Sequence, residues 1–226
     1  MSLTFNPQAL PSEPIKRPRA VPSEFLTAEA LRIRFKKDVP WMPEKTDEHQ
    51  LSTSTFIRPA AVLIPLIIKD NGLHLLLTQR AAHLHDHPGQ ISFPGGRYEE
   101  ADRNSVETAL RETFEEIGIH RAHIDVIGSL PQYRTATGYD VTPVVSLVKP
   151  GFEVKIDSFE VASIFEVPLA FLMNEANHQL RKIELPNNAG KRTFYAMPYE
   201  DHFIWGATAG MLRNLFHFLS AAEHIR

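Results

Sequence analysis

Three glutamates in the middle of the chain, Glu112, Glu115 and Glu116, constrain this sequence more than any other feature. A helix from about Ser105 to Ile117 puts them at i, i+3 and i+4, on one face. On the same reading Val106, Leu110, Phe114 and Ile117 fall on the opposite face. One side of the helix packs and the other collects negative charge. Like charges at that spacing cost roughly 0.2–0.5 kcal/mol per pair, and a bound cation reverses the sign. Upstream, Pro94-Gly95-Gly96 marks a tight turn whose backbone can approach another group closely. Gly118 is a natural C-terminal cap.

A chain of 226 residues, 43% hydrophobic and 23% charged, suits one compact domain with an extension. The extension is residues 1–56. Pro7, Pro11, Pro14, Pro18 and Pro22 mark an irregular, solvated arm, and a short helix follows between Ser23 and Lys37, with Thr27 as its cap. The compact domain is expected over residues 57–226. A formal net charge of −3 gives no general electrostatic case for nucleic acid. Without cysteine, neither disulfides nor thiolate metal ligands are available. The longest apolar run, Ala60 to Ile68, contains Pro65 and falls well short of the ~20 residues a membrane span needs. The start of the chain lacks the character of a signal peptide. The expectation is a soluble cytoplasmic protein that does not bind membranes.

Ala60 to Ile68 reads as a buried strand, with Pro65 indicating an edge or a bulge. Asp70-Asn71-Gly72 turns it into a return strand, Leu73 to Gln79. Further strands are expected at His123–Leu130, Val141–Val148, Val161–Leu169, Gln179–Leu185, Arg192–Met197 and His202–Trp205. A last helix, capped by Thr208, carries Met211, Leu212, Leu215, Phe216 and Leu219 as a core stripe. Hairpins mixed with helical crossovers predict an α/β class, α+β in character, with a mixed sheet between helices.

Two loops carry chemistry. His83, His85 and His87 alternate, and on an extended chain they would face one side and suit a transition metal; Pro88-Gly89 speaks against an extended chain there. In the loop from Pro131 to Asp140, Tyr133, Arg134 and Tyr139 are candidates for touching a ligand, with an ordinary surface turn as the other reading.

The stretch from Gly96 through Asp102 to Arg111-Glu112-Thr113-Phe114-Glu115-Glu116-Ile117-Gly118-Ile119 resembles the signature box of the Nudix hydrolases. Asp102 in place of glutamate, and one extra residue before Arg111, resemble the coenzyme A pyrophosphatase branch. So does the motif upstream: Leu76-Leu77-Thr78-Gln79-Arg80-Ala81, then Leu84, His87, Gly89-Gln90 and Phe93-Pro94-Gly95-Gly96. Ala81 and His85 depart from it, standing where serine and arginine are usual. The likeness runs from about Ile57 to Leu215.

The resemblance implies a Nudix-type α/β/α sandwich and a hydrolase of phosphoanhydrides dependent on Mg²⁺ or Mn²⁺. It implies Glu112 and Glu116 as primary metal ligands, with Glu115 in support and the Gly96 carbonyl completing the shell. For the general base it leaves a box glutamate or the distal Glu160, with Glu166 as second choice. Arg111 would orient a carboxylate, and Arg80, His87, Gln90 and Phe93 would contact the substrate. That substrate would be coenzyme A or a derivative, cut to 3′-phosphoadenosine 5′-phosphate and 4′-phosphopantetheine. Two alternatives stand beside it: another diphosphate, such as a nucleoside triphosphate, ADP-ribose or a dinucleotide, and a non-catalytic Nudix-fold binding module. A homodimer is left open.

Overall fold

The structure is a computed structural model, in which residues 6–44, 57–184 and 191–221 are described. Strand β1 is Ser12–Pro14 and helix α1 is Ala28–Lys36. The expected hairpin is β2 (Arg58–Lys69) and β3 (Gly72–Arg80), with Lys69 opposite Gly72. Short strands β4 (Ile91–Ser92) and β5 (Gly95–Arg97) lead to helix α2 (Ser105–Ile117). Then come β6 (Ile124–Ser129), β7 (Tyr133–Arg134), β8 (Tyr139–Val148), β9 (Val161–Pro168) and the short α3 (Leu169–Leu172). The chain ends in β10 (Gln179–Glu184), β11 (Lys191–Tyr199), β12 (His202–Trp205) and α4 (Gly206–Ser220).

The main sheet is ordered β4-β3-β2-β8-β6; β9 also pairs with β3, β5 with β2 and β7 with β8. It is mixed, since β2 runs parallel to β8 and antiparallel to β3. Alternation along β2 sorts its side chains between two helices. Ala61 and Leu63 pack with Ala109, Leu110 and Val144 on the α2 side, whereas Ile64 and Leu66 join Leu212, Leu215 and Phe216 of α4. The result is the expected α/β/α sandwich. A second sheet, β1-β10-β11-β12, flanks α4.

Pro65 lies in a central strand, not at an edge. The Leu63 amide bonds the Pro94 carbonyl (2.9 Å), so the nitrogen two residues on faces the same side. On that side β5 has left β2 at Val62 and β3 joins only at Leu66. The missing N–H of proline falls in the gap.

The proline-marked arm, described from Asn6, is exposed or half-buried as far as Ala20, yet it is not free of the domain. Val21, Leu26 and Leu31 are buried in the main core, and β1 extends the second sheet by pairing with β10. Thr27 caps α1 as expected, accepting from the Ala30 amide at 3.2 Å. Prolines spaced along an extended chain removed helical periodicity without removing the apolar residues that dock.

Helix α2 begins at Asn104, whose side-chain oxygen accepts from the Val106 and Glu107 amides, and ends on Gly118 at φ 74°. Its buried face differs from expectation. Thr113 is fully buried, with its hydroxyl donating to the Ala109 carbonyl (2.6 Å), while Phe114 is exposed and lies edge-on to His120. Thr208 does not cap α4: Trp205 occupies that position, and the Thr208 hydroxyl donates to Ile91 O on β4. No helix among the described residues is long and apolar enough to cross a membrane.

Candidate active site

Strand β5 delivers Gly95 and Gly96 to the flank of α2. The Gly95 amide donates to Glu116 Oε2 at 3.2 Å. A Cβ on Gly96 would lie 2.3 Å from Glu112 Oε1, and one on Gly95 would lie 2.5 Å from the Ala61 carbonyl oxygen. A side chain at Gly95 would run into backbone, and one at Gly96 would have to push the Glu112 carboxylate aside. The turn and the two carboxylates are in direct contact.

Glu116, expected on the open face, is 4% exposed because β5 covers it. Burial pushes its pKa up to about 8; the Gly95 amide and Arg80 oppose the shift, and the charges of Glu112 and Glu160 add to it. Burial also raises Glu112, against the pull of Arg111 and with Glu115 and Glu160 adding to the rise. Glu115 is half exposed, its carboxylate 2.9 Å from Arg111 Nη1. Arg111 donates to both Asp102 oxygens (3.1 and 3.0 Å), to Glu112 and to the Arg97 carbonyl. Asp102 is held down at about 2, chiefly by Arg111. This pair is the frame that fixes β5 to α2.

The loop before β9 folds over the end of α2. The Lys155 amide bonds Ile117 O (3.0 Å), the Asp157 amide bonds Glu116 O (2.9 Å), and the Ala81 amide bonds Glu160 O (2.8 Å). Glu160 is thereby held where its charge acts on both Glu112 and Glu116. The bond from residue 81 is a backbone one, so alanine in place of serine leaves it intact. Glu166 lies elsewhere, on β9, paired with Lys69 at 2.5 Å.

Among the described residues no three carboxylate or imidazole groups stand ready around one point. Glu112 and Glu116 meet at the glycine turn, while Glu115 is engaged by Arg111. The donors are oxygens only, and one is a buried carboxylate whose charged form burial disfavours. Such a set fits a hard divalent cation. The alternate histidines do not form a second set. His83 lies against Phe159, with ring centroids 5.0 Å apart; the His85 side chain is fully exposed, 3.1 Å from Asp86; His87 adopts φ 56° as the chain turns at Pro88-Gly89.

On its other side the glycine turn borders a cavity of about 520 Å³, lined among others by Arg80, His87, Gly95, Gly96, Arg97 and Tyr139. An adjoining space of about 310 Å³ shares Arg80 and His87 and adds Gln90 and Phe93. The four residues expected to contact substrate, Arg80, His87, Gln90 and Phe93, are therefore brought together. In the loop from Pro131 to Asp140, Tyr139 alone of the three candidates reaches the cavity. Tyr133 is buried against Gly210 of α4, and Arg134 is locked to Asp140 by two 2.7 Å bonds. Sequence reasoning missed Arg58 and Arg97 on the cavity wall. Alternation along β2 aligns Arg58 with Ala60 and Val62, but which strands lie alongside is not written in local pattern.

The NUDIX domain family model matches residues 57–183. Over 190 residues the chain is 36% identical to NudL of Escherichia coli K12, named as an uncharacterized Nudix hydrolase, covering 84% of this chain and 93% of that protein. The same figures hold for NudL of Shigella boydii serotype 18. Among solved structures, a Caenorhabditis elegans Ap4A hydrolase binary complex is 19% identical with a TM-score of 0.43, over 49% of this chain and 80% of that one. A MutT protein from Methanosarcina mazei Go1 is 22% identical with a TM-score of 0.42, over 54% and 83%. The chain belongs to the Nudix hydrolase family, whose members act on nucleoside diphosphate derivatives with divalent metal ions.

Proposed function

We propose that this protein, through residues 57–226, hydrolyses the phosphoanhydride of coenzyme A or its derivatives to 3′-phosphoadenosine 5′-phosphate and 4′-phosphopantetheine. One observation carries the reading. Gly95 and Gly96 touch Glu116 and Glu112 on one side and on the other border the cavity that Arg80 and His87 line. Acids and candidate substrate contacts thus share one wall.

Glu112, Glu116 and the Gly96 carbonyl would hold Mg²⁺ or Mn²⁺, with Glu115 in support. When bound, such an ion neutralises the diphosphate, lowers the pKa of a coordinated water and stabilises the departing phosphate oxygen. Glu160 takes the proton of the attacking water as the oxygen joins phosphorus and the bridging P–O bond breaks. Arg80 donates to a phosphate oxygen and steadies the group under attack. Arg111 keeps Glu112 and Glu115 oriented.

A second diphosphate substrate, such as ADP-ribose or a nucleoside triphosphate, is favoured by one observation: His85, where the branch has arginine, is fully exposed and bonded to Asp86. Turnover of the two groups by purified protein with Mg²⁺ or Mn²⁺ separates the readings. Coenzyme A is expected to be cut fastest, and a faster rate on ADP-ribose or nucleotides would replace it.

A further inference from the structure

The wall of the cavity away from the acids carries a cluster of guanidinium groups. Arg58 on β2 stands opposite Tyr139 on β8, and Arg97 on β5 stands opposite Ala60 of β2. Ala60 is two residues from Arg58, so the side chains rise from one face of three neighbouring strands. The Arg58 guanidinium carbon lies 5.4 Å from the Tyr139 ring centroid and that of Arg97 lies 5.5 Å from it. Arg58 also donates to the Tyr139 hydroxyl at 3.4 Å. Arg80 lines the same cavity.

By contrast Arg111, Arg134 and Arg213 each hold carboxylates at 3.0 Å or less. Among the described residues, Arg58, Arg80 and Arg97 have no carboxylate at ion-pair distance. The acid on this wall, Asp86, is bonded to His85. A planar guanidinium presents a fork of N–H donors that matches a phosphate, and stacking on an aromatic ring limits the freedom it would lose on binding. The cluster therefore suits a dianion with several acceptor oxygens.

Arg80 acts electrostatically on Glu116 and belongs with the group being cleaved, whereas Arg58 and Arg97 line the cavity beyond the glycine turn, a cavity that Glu112 and Glu116 do not line, so the group these two receive is a different one. We propose that Arg58 and Arg97, stacked on Tyr139, bind a non-scissile phosphomonoester of the substrate while Arg80 serves the diphosphate. The site then selects nucleoside diphosphate derivatives that carry an additional phosphate on the ribose. This rests on the diphosphate-hydrolase reading and adds the group that distinguishes one such substrate from another.

The test is binding of adenosine 3′,5′-bisphosphate, adenosine 2′,5′-bisphosphate and AMP, by calorimetry, to the full chain and to its Arg58→Gln and Arg97→Gln variants. Both residues are exposed, and melting curves show whether each variant is folded. The wild type is expected to bind the 3′,5′-bisphosphate at least about tenfold more tightly than AMP, the weight of one good charge-assisted contact. Each variant should bring that ratio near unity. Equal affinity of the wild type for bisphosphates and AMP, or an unchanged ratio in both folded variants, overturns the proposal even if coenzyme A is turned over. A preference for the 2′,5′ isomer that the variants abolish would keep the phosphate site and remove coenzyme A as the substrate.

Discussion

The Gly95 amide lies 3.2 Å from Glu116 Oε2, so the turn on β5 and the acidic face of α2 are fastened to each other. Burial beneath this turn takes Glu116 out of solvent and disfavours its charge, while the Gly95 amide itself partly restores the carboxylate. The acids are thus prepared by the sheet, and the helix by itself would leave them solvated.

The two glycines of the turn should respond differently to a methyl group. At Gly96 the obstacle is the Glu112 carboxylate, the mobile end of a side chain, at 2.3 Å. At Gly95 it is the backbone of Ala61 and Val62 at 2.5 Å, at φ 155°. Gly96→Ala is therefore expected to displace Glu112 and lower kcat about 100-fold, as ångström-scale misplacement does, with little change in melting temperature. Gly95→Ala should destabilise the fold by about 1–3 kcal/mol. Turnover and calorimetric melting of both variants check the contrast, and equal melting losses would contradict it.

The two candidate bases can be separated by a matched pair of substitutions. Glu160 acts electrostatically on Glu112 and Glu116, whereas Glu166 is paired with Lys69. Glu160→Gln should lower kcat about 10²–10⁴-fold, the usual weight of a general base. Glu166→Gln should stay within about twofold of wild type in kcat, since Glu166 pairs with Lys69 and does not act on Glu112 or Glu116. A large loss in the second and none in the first would transfer the role.

Much of this was readable before the structure. The acid spacing, the Gly118 cap and the Asp70-Asn71-Gly72 hairpin are local patterns, and all three are present. What local pattern missed depends on neighbours distant in sequence. Glu116 is buried by β5. Arg58 and Arg97 belong to the cavity only once β2, β5 and β8 lie side by side.

Glu116→Gln removes a charge without changing shape. Because burial disfavours the carboxylate, the neutral amide should not lower the melting temperature of metal-free protein. It should still abolish a metal ligand: changes around a metal site already cost about 10–100-fold, and loss of the ligand should exceed that. Turnover with saturating Mg²⁺, read beside the melting curve, checks both halves. Near-normal turnover would remove Glu116 from the metal set.

Acid should loosen the packing of residues 6–44 on α4 before it affects the sheet. Arg213 of α4 is buried and binds Glu175 (2.8 Å) and Glu44 (2.7 Å); Glu44 also accepts from His217 Nε2, Tyr195 donates to it, and Arg19 joins Glu175. His178 sits inside this cluster, its Nε2–H donating to Leu172 O (2.7 Å) and its Nδ1 accepting from Arg213 (3.1 Å). A proton on Nδ1 would oppose Arg213, and burial first, then Arg213, lowers the His178 pKa from 6.5 to about 4. The unfolded chain then binds this proton more readily than the folded one, so the contribution is whole above pH 6.5 and falls away toward pH 4. Its ceiling is about 3 kcal/mol. Glu44, held at about 2 against the penalty of its own burial, adds stability that is present above its ordinary value of 4.5 and is lost as pH falls toward 2. Urea midpoints measured from pH 8 to 4 should therefore drop in wild type. In His178→Gln, which has no proton to gain, the drop between pH 6.5 and 4 should be clearly smaller, and an equal slope would show that another group carries it.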